Sequence, residues 1–322
     1  MNGLTLHSDI VRKFRDEYLS SVPPVIAQAS TVPVAQRWNA LFQCSIAPKA
    51  EWVAPDIRGA LLDLYRVSSI EKLIPKYFGD DDRWGAIVSP RVETETGERI
   101  AFIEHWFVTH PGDIERMILA IKSQWSLPFD MIFLPASPHH RCRSFLADWS
   151  QARLCECAYV AEWGRSQPAM PSAWRSNQYS CFTNQNLDSW WPEFCLLLGR
   201  YDAAPMLDRT VAALRNGMKH CLQTGGIVTL YDGQGLAAHV SWAKGSEAEL
   251  LLPRCWNIHY VWVRPDLRGQ GMSKYLYAVI GRQLDVEGIP LVCARAQADN
   301  LPSLKNFEGV GGERVREYYN IS

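Results

Sequence analysis

Apolar positions along this chain switch between three-and-four spacing and alternation, and the switches mark out its elements. Asp9 to Leu19, Ala35 to Phe42 and Pro55 to Val67 carry the first spacing, which predicts helices. Trp84 to Ser89 and Ile100 to Thr109 are apolar, aromatic and β-branched runs on either side of Glu93-Thr-Glu-Thr-Gly-Glu98, and predict a hairpin. His110-Pro-Gly-Asp113 then opens a helix over Ile114 to Gln124, with Asp113 placed as its N-cap. A buried strand over Phe129 to Leu134, a helix over Arg141 to Trp149 and a strand over Cys155 to Trp163 complete this half.

From Gly164 to Tyr179 the composition turns to Ser, Pro, Gln, Asn and Arg without periodicity, the pattern of a linker or surface loop. Beyond it we expect a short strand at Tyr179 to Thr183, a helix over Leu187 to Leu198 and a longer one over Met206 to Gln223, stopped by Thr224-Gly-Gly226. Gly226 to Tyr231 and Leu236 to Trp242 alternate and flank Asp232-Gly-Gln-Gly235, a strong hairpin signal. Glu247 to Leu252 and Asn257 to Val263 continue an antiparallel meander. The style then changes: a turn over Arg264 to Gln270, a helix from Gly271 to Glu287, a buried strand over Pro290 to Ala296, a short helix over Leu301 to Phe307 and a closing strand over Arg314 to Asn320. A meander followed by strand, turn, helix and strand is an α+β arrangement with one crossover. The first half repeats that local order and reads as a degenerate duplicate.

Length agrees with duplication, because 322 residues exceed the roughly 150 of one ordinary domain. Hydrophobic residues at 47% and charged ones at 21% suit a packed core throughout. Thirty-three Lys and Arg balance 34 Asp and Glu, so no global field attracts a polyanion and no nucleic-acid partner is expected. The nine cysteines are scattered and odd in number, and the N-terminus is polar, which points to reduced thiols in a cytoplasm. No apolar run reaches the roughly 18 residues of a membrane span, so no membrane association is expected.

The chemistry concentrates in Val263-Arg-Pro-Asp-Leu-Arg-Gly-Gln-Gly-Met-Ser273, which lies between a strand and a helix. A helix N-terminus offers unpaired backbone N–H groups and the positive end of a dipole, a natural seat for phosphate. Gly269 and Gly271 let backbone approach a ligand, and Arg268 can add a charge-assisted bond. This run resembles the signature of the GNAT acyl-CoA N-acyltransferase superfamily, Arg/Gln-x-x-Gly-x-Gly/Ala. Arg268 matches its first position, Gly271 its first required glycine, and Ser273 stands where Gly or Ala is usual. The resemblance runs from about Tyr179 to the C-terminus and is strongest from Asn257 to Gly311.

The resemblance implies two GNAT-like α+β domains, each a mostly antiparallel central sheet flanked by helices. A degenerate N-terminal domain would span 1–165 and a catalytic N-acetyltransferase domain 166–322. In the family the strand before the loop parts from its neighbour, and pantetheine bonds its edge as an extra strand would. That implies acetyl-CoA as co-substrate, held by Val261, Trp262, Val263, Arg268, Gly269, Gln270, Gly271, Met272, Ser273, Asn300 and Phe307. A backbone N–H near Val263 would polarise the thioester carbonyl. The amine of a small molecule, amino acid or peptide would attack directly, with His259 as the candidate base, since imidazole titrates near neutrality. Many family members protonate the thiolate with a Tyr on the last helix, where this chain has Phe307. Unaided departure of the thiolate, donation by Tyr318, Tyr319 or Ser303, and loss of acetyl transfer are the three openings that remain.

Thirteen tryptophans include Trp190, Trp191, Trp242, Trp256 and Trp262 in the second half, as pocket lining for an aromatic acceptor or as core. His139-His-Arg-Cys142 and Cys155-Glu-Cys157 carry metal-ligand types, but no second pair at ligand spacing closes a site, so no metal is expected. Glu104, His105 and His110 surround a turn without the Arg-x-x-Gly signature, so the first half is expected to shape or buttress rather than bind CoA. Two rival readings stay open: a non-catalytic acyl-CoA-binding module, and a GNAT-like enzyme of altered chemistry such as acyl-CoA decarboxylation or S-acyl transfer. A homodimer is among the assemblies open to the chain.

Overall fold

The computed structural model describes residues 6–30, 32–46, 62–69, 73–80, 82–92, 98–162, 179–201, 208–247, 252–284 and 291–322. In chain order its elements are α1 (Ser8–Leu19), α2 (Pro24–Gln28), α3 (Val34–Ile46), β1 (Lys76–Asp80), β2 (Trp84–Val92) and β3 (Arg99–Val108). Next come α4 (Asp113–Gln124), β4 (Met131–Ala136), α5 (Arg143–Asp148), β5 (Ala152–Glu162), β6 (Ser180–Thr183), α6 (Leu187–Tyr201) and α7 (Asp208–Thr224). Then follow β7 (Gly225–Asp232), β8 (Gly235–Glu247), β9 (Leu252–Val263), α8 (Met272–Leu284), β10 (Leu291–Gln297), α9 (Leu301–Gly309) and β11 (Glu313–Ile321). Consecutive antiparallel strands, β1 to β3 in the first half and β7 to β9 in the second, are each followed by a helix and a parallel strand, so the fold is α+β with mixed strand pairing.

The described residues form two compact units. The first comprises those up to Cys157 together with Val315–Ser322, and the second those from Ala158 to Arg314. The sequence-based boundary at 165/166 lies outside the described residues, as does most of the Gly164–Tyr179 linker.

In the first unit the strand order is β1-β2-β3-β4-β11. β1, β2 and β3 are antiparallel neighbours, whereas β3 and β4 run parallel and β11 returns antiparallel to β4. Ile103, Ile114, Met117, Ile121, Ile132 and Leu134 are completely buried between α4 and the strands. Burial of each such side chain contributes roughly 1.5–3 kcal/mol. The closing strand, expected within the C-terminal domain, supplies Tyr319 and Ile321 to this core.

In the second unit the order is β10-β9-β8-β7-β6, with β9 and β10 parallel and the others antiparallel. The hairpin at Asp232-Gly-Gln-Gly235 forms where expected, and Gly235 takes φ +111°, which an L side chain rarely adopts. Trp190, Phe194, Met218, Ile227, Leu236 and Trp262 make the core under α6 and α7.

Several sequence-based boundaries move. Glu247 ends β8 and Leu252 begins β9, and the two are paired, while residues 248–251 of the strand expected over Glu247 to Leu252 lie outside the described residues. The helix expected from Gly271 starts at Met272, because Gly271 takes φ +83° and cannot be helical. Asp113 is the first helical residue of α4 rather than its N-cap. Gly112 holds the cap position, while the buried Asp113 carboxylate accepts the His110 N–H at 3.2 Å and meets Arg83 at 3.0 Å. β1 and α2 are too short for periodicity to have revealed them. The hairpin loop 93–97 and residues 55–61 of the expected third helix lie outside the described residues.

Candidate functional site

The site is built on the end of β9 in the second unit. The parallel ladder between β9 and β10 runs from Trp256–Val292 to Ile258–Ala294, and among the described residues no further rung is made although both strands continue. On its other side β9 stays paired with β8 as far as Val263–Ala238. Residues 259–263 therefore present one backbone edge that β10 leaves open, the edge on which an extended ligand can add as a strand. Val261 and Val263 are half-buried there. Trp262 is buried against Phe194, at 5.5 Å between ring centroids, and can offer a ligand only its backbone.

Between Ser241–Tyr260 and Trp242–Ile258 the β8–β9 register slips by one residue. The extra residue of this bulge is His259. A bulge re-aims the side chain it inserts. The His259 imidazole is carried against α7, with its tip over Gly217, and it keeps an exposed edge. Desolvation by the surrounding protein, and then the charge of His220, hold its pKa below the ordinary histidine value. It is thus biased toward the neutral form that can accept a proton.

After Val263 the chain makes a single 3-10 turn, Pro265–Leu267, and then Arg268 to Gly271 before α8. Gly269 and Gly271 take φ +76° and +83°, conformations that favour glycine, and a Cβ on Gly269 would meet nothing within 4 Å. That open cradle ahead of the N–H groups of α8 fits a pyrophosphate. Arg268 is exposed, and its Nε donates to the Val263 carbonyl at 3.0 Å, while the Gln270 side-chain amide donates to the Asp266 carbonyl at 2.9 Å. Both side chains brace the turn. Met272 is buried beneath it, and the Ser273 hydroxyl donates to Asn306 Oδ1 at 3.0 Å, tying α8 to α9.

One anchor of this loop escaped the sequence reading. Arg264, 4% exposed, donates through Nη1 and Nη2 to Asp232 at 3.1 and 2.5 Å and through Nε and Nη2 to Asp266 at 2.8 and 3.2 Å. The guanidinium fastens the start of the loop to the β7–β8 turn and holds both carboxyls below the usual carboxylate range. Its only signal was an acidic residue two positions on. His239, also unanticipated, is fully buried beside Trp190, Phe194, Tyr260 and Trp262. Both ring nitrogens lack a hydrogen-bond partner among the described residues, and desolvation, then the charge of His259, push its pKa down to about 3.

The remaining candidates divide. Asn300 caps α9 by accepting the Ser303 N–H at 3.3 Å, so both residues serve the helix start. Phe307 is buried, its ring centroid 5.7 Å from that of Tyr277 and 6.0 Å from that of Tyr159. Burial pushes the Tyr277 hydroxyl up, and the Tyr159 hydroxyl is bonded with Glu308 and Arg314. Tyr318 and Tyr319 are buried on β11 in the first unit, Tyr319 within its core. Trp190, Trp191, Trp242, Trp256 and Trp262 are all buried, Trp190, Trp191 and Trp262 within the core of the second unit.

The first unit carries an altered copy of the same geometry. Its parallel ladder stops at Phe102–Phe133, and the β2–β3 register skips Glu104. The opening is bridged by the Trp106 indole, which donates to the Pro135 carbonyl at 2.8 Å. The start of α4, where an anion would sit, holds the Asp113 carboxylate. The recess beside it is lined by Glu17, Glu104 and His140, already bonded within the protein: Glu17 to Arg141 at 2.7 Å and His140 at 2.9 Å, Glu104 to Arg91 at 2.7 Å. Burial pushes the Cys142 and Cys155 thiols up to about 11 and 12, so neither is a ready thiolate.

No protein-family model matches the chain, and no curated protein matches its sequence. Solved structures do. A GCN5-related N-acetyltransferase from Sphaerobacter thermophilus is similar with a TM-score of 0.50 at 8% identity, over 99% of this chain and 96% of that one. A GNAT-family acetyltransferase from Colwellia psychrerythraea gives 0.47 at 10% identity over 99% and 98%, and a tandem GNAT protein from the clavulanic acid biosynthesis pathway 0.43 at 16% over 74% and 78%. At 8% identity the likeness to the Sphaerobacter structure concerns architecture, and it agrees with the parted strands, the bulge and the glycine turn described above: the fold of this chain is the GNAT fold.

Proposed function

We propose that this protein is an acetyl-CoA-dependent N-acyltransferase whose second unit carries the site. The observation that supports this reading most is the opening of β9 from β10 directly ahead of a turn with two left-handed glycines at a helix start. Acetyl-CoA would lie with pantetheine along residues 259–263 and pyrophosphate at Gly269 to Met272. The acceptor amine attacks the thioester carbonyl, a C–N bond forms, the C–S bond breaks, the amine proton passes to His259 and CoA leaves as thiolate. A small amine, amino acid or peptide is the acceptor class.

Isothermal titration with acetyl-CoA, followed by thiol release over an amine panel, tests the reading. We expect binding that Gly271→Glu abolishes and turnover that His259→Ala lowers by about 10² or more. Absence of acetyl-CoA binding by the wild type would sink the proposal. Phe307 favours one rival, a module that binds acyl-CoA without turning it over, because the ring at that position has no proton to give. Binding with no product across the panel would select it.

A further inference from the structure

α7 is seventeen residues long and carries a glycine in its interior at 217. Glycine inside a helix destabilises it relative to alanine, so such a position calls for a local cause. Here the cause is steric. A Cβ built on Gly217 would stand 1.9 Å from His259 Nε2, 2.6 Å from Cε1 and 2.9 Å from Cδ2. No real Cβ tolerates such distances, so the tip of the imidazole occupies the volume that any other residue would fill. The helical glycines at 199 and 309 differ, since a Cβ on either would meet nothing within 4 Å.

The bulge and the glycine act together. The skipped register turns His259 out of the β8–β9 ladder toward α7, and the bare Cα at 217 admits its ring. Nε2 is thereby turned to the helix, which leaves Nδ1 as the nitrogen directed away from it. We infer that Gly217 is a positioning residue for the proposed acyl transfer, its missing side chain forming the seat that fixes the His259 imidazole against α7. This rests on the reading of His259 as the base. The seat itself is a property of the fold, so its test can be separated from the activity.

The first arm is stability. In the wild-type background Gly217→Ala should lower the melting temperature, because the ring must leave its seat. In a His259→Ala background the same change should raise it, because only the helix preference for alanine remains. The same sign in both backgrounds overturns the inference. The second arm reads the imidazole by NMR titration. His259 is faced by His220 from α7 and His239 from β8, and these two neighbours are retained in the variant. In Gly217→Ala the His259 pKa should rise toward its ordinary value as the ring gains solvent, and an unmoved titration counts against the seat. The third arm is kinetic. Gly217→Ala should bind acetyl-CoA as the wild type does, lose about 10² in kcat, and add no further loss to His259→Gln. Full turnover by Gly217→Ala, or an equal further loss beside His259→Gln, overturns the positioning role. If the wild type proves inactive, the proposed function fails while the first two arms still decide the seat.

Discussion

Glu104 on β3 and His259 on β9 hold matching places in their strands. Each is the extra residue of a bulge against the preceding antiparallel strand, and they lie two residues and one residue beyond Phe102 and Ile258, the last rungs of the parallel ladders with the strands that follow. The two halves of the chain thus share a device while differing in what fills it. At Glu104 the carboxylate is bonded by Ser89 and Arg91, and the opening is bridged by Trp106. At His259 the imidazole lies instead against α7, its tip over Gly217.

That difference predicts one acetyl-CoA per chain. Titration calorimetry should give a stoichiometry near one, and Gly271→Glu should abolish all binding rather than half of it. A second class of sites surviving in Gly271→Glu would show that the first unit binds the nucleotide despite Asp113 and Trp106.

The turn itself can be probed more gently. At Gly269 a methyl group meets no atom, so Gly269→Ala isolates the cost of the left-handed backbone, about 1–2 kcal/mol. If the ligand needs that conformation, the acetyl-CoA Kd should weaken by about tenfold. Gly112→Ala is the control, because φ there is −65° and the space is equally open. An unchanged Kd for Gly269→Ala would remove this turn from the binding surface.

Arg264→Lys should loosen the loop, because one ammonium cannot reproduce a planar fork shared between Asp232 and Asp266. We expect a destabilisation of about 1–2 kcal/mol in urea unfolding at pH 7, below the 3–5 kcal/mol of a fully buried broken pair since Asp266 is half exposed. The pH dependence has a definite sign. Both carboxyls are held below their ordinary 3.8, so the stability they contribute is complete above that value and fades as the pH falls through the lower folded-state pKa. The acid limb should flatten in Arg264→Ala, and wild-type steepness in that variant would contradict the assignment.

His239→Phe should be tolerated and should protect the protein from acid. A buried polar group without partners is costly, and an apolar ring of similar shape removes the cost. With the folded-state pKa pushed from 6.5 down to about 3, the unfolded chain takes up this proton first, so folded stability declines as the pH drops below 6.5. Urea midpoints at pH 7.5 and 4.5 should therefore differ less in His239→Phe than in the wild type. A larger difference would mean that His239 is protonated in the folded protein.

Most helices and strands were legible in the chain because their signals are local. Periodicity placed α1, α4, α6, the β7–β8 hairpin and α9 within a few residues. The glycine turn was equally visible, since left-handed backbone at Gly269 and Gly271 and the start of α8 are properties of a few consecutive residues. Asp113 stands one position inside α4, and its pairing with Arg83, 30 residues earlier in the chain, left no local signal.

The sequence alone specified the order of the longer elements, a repeated strand-turn-helix-strand pattern and a glycine turn at a helix start. It left open which strands join and which part. The transfer of β11 to the core of the first unit, the single-residue slip that singles out His259, the ladder that ends at Ile258, the grip of Arg264 on Asp232 and the seat at Gly217 were decided by tertiary structure. The division has a physical basis. Burial period and backbone preference act over a turn or two of chain, whereas ladder ends, bulges and side-chain seats are set by packing between segments far apart in sequence.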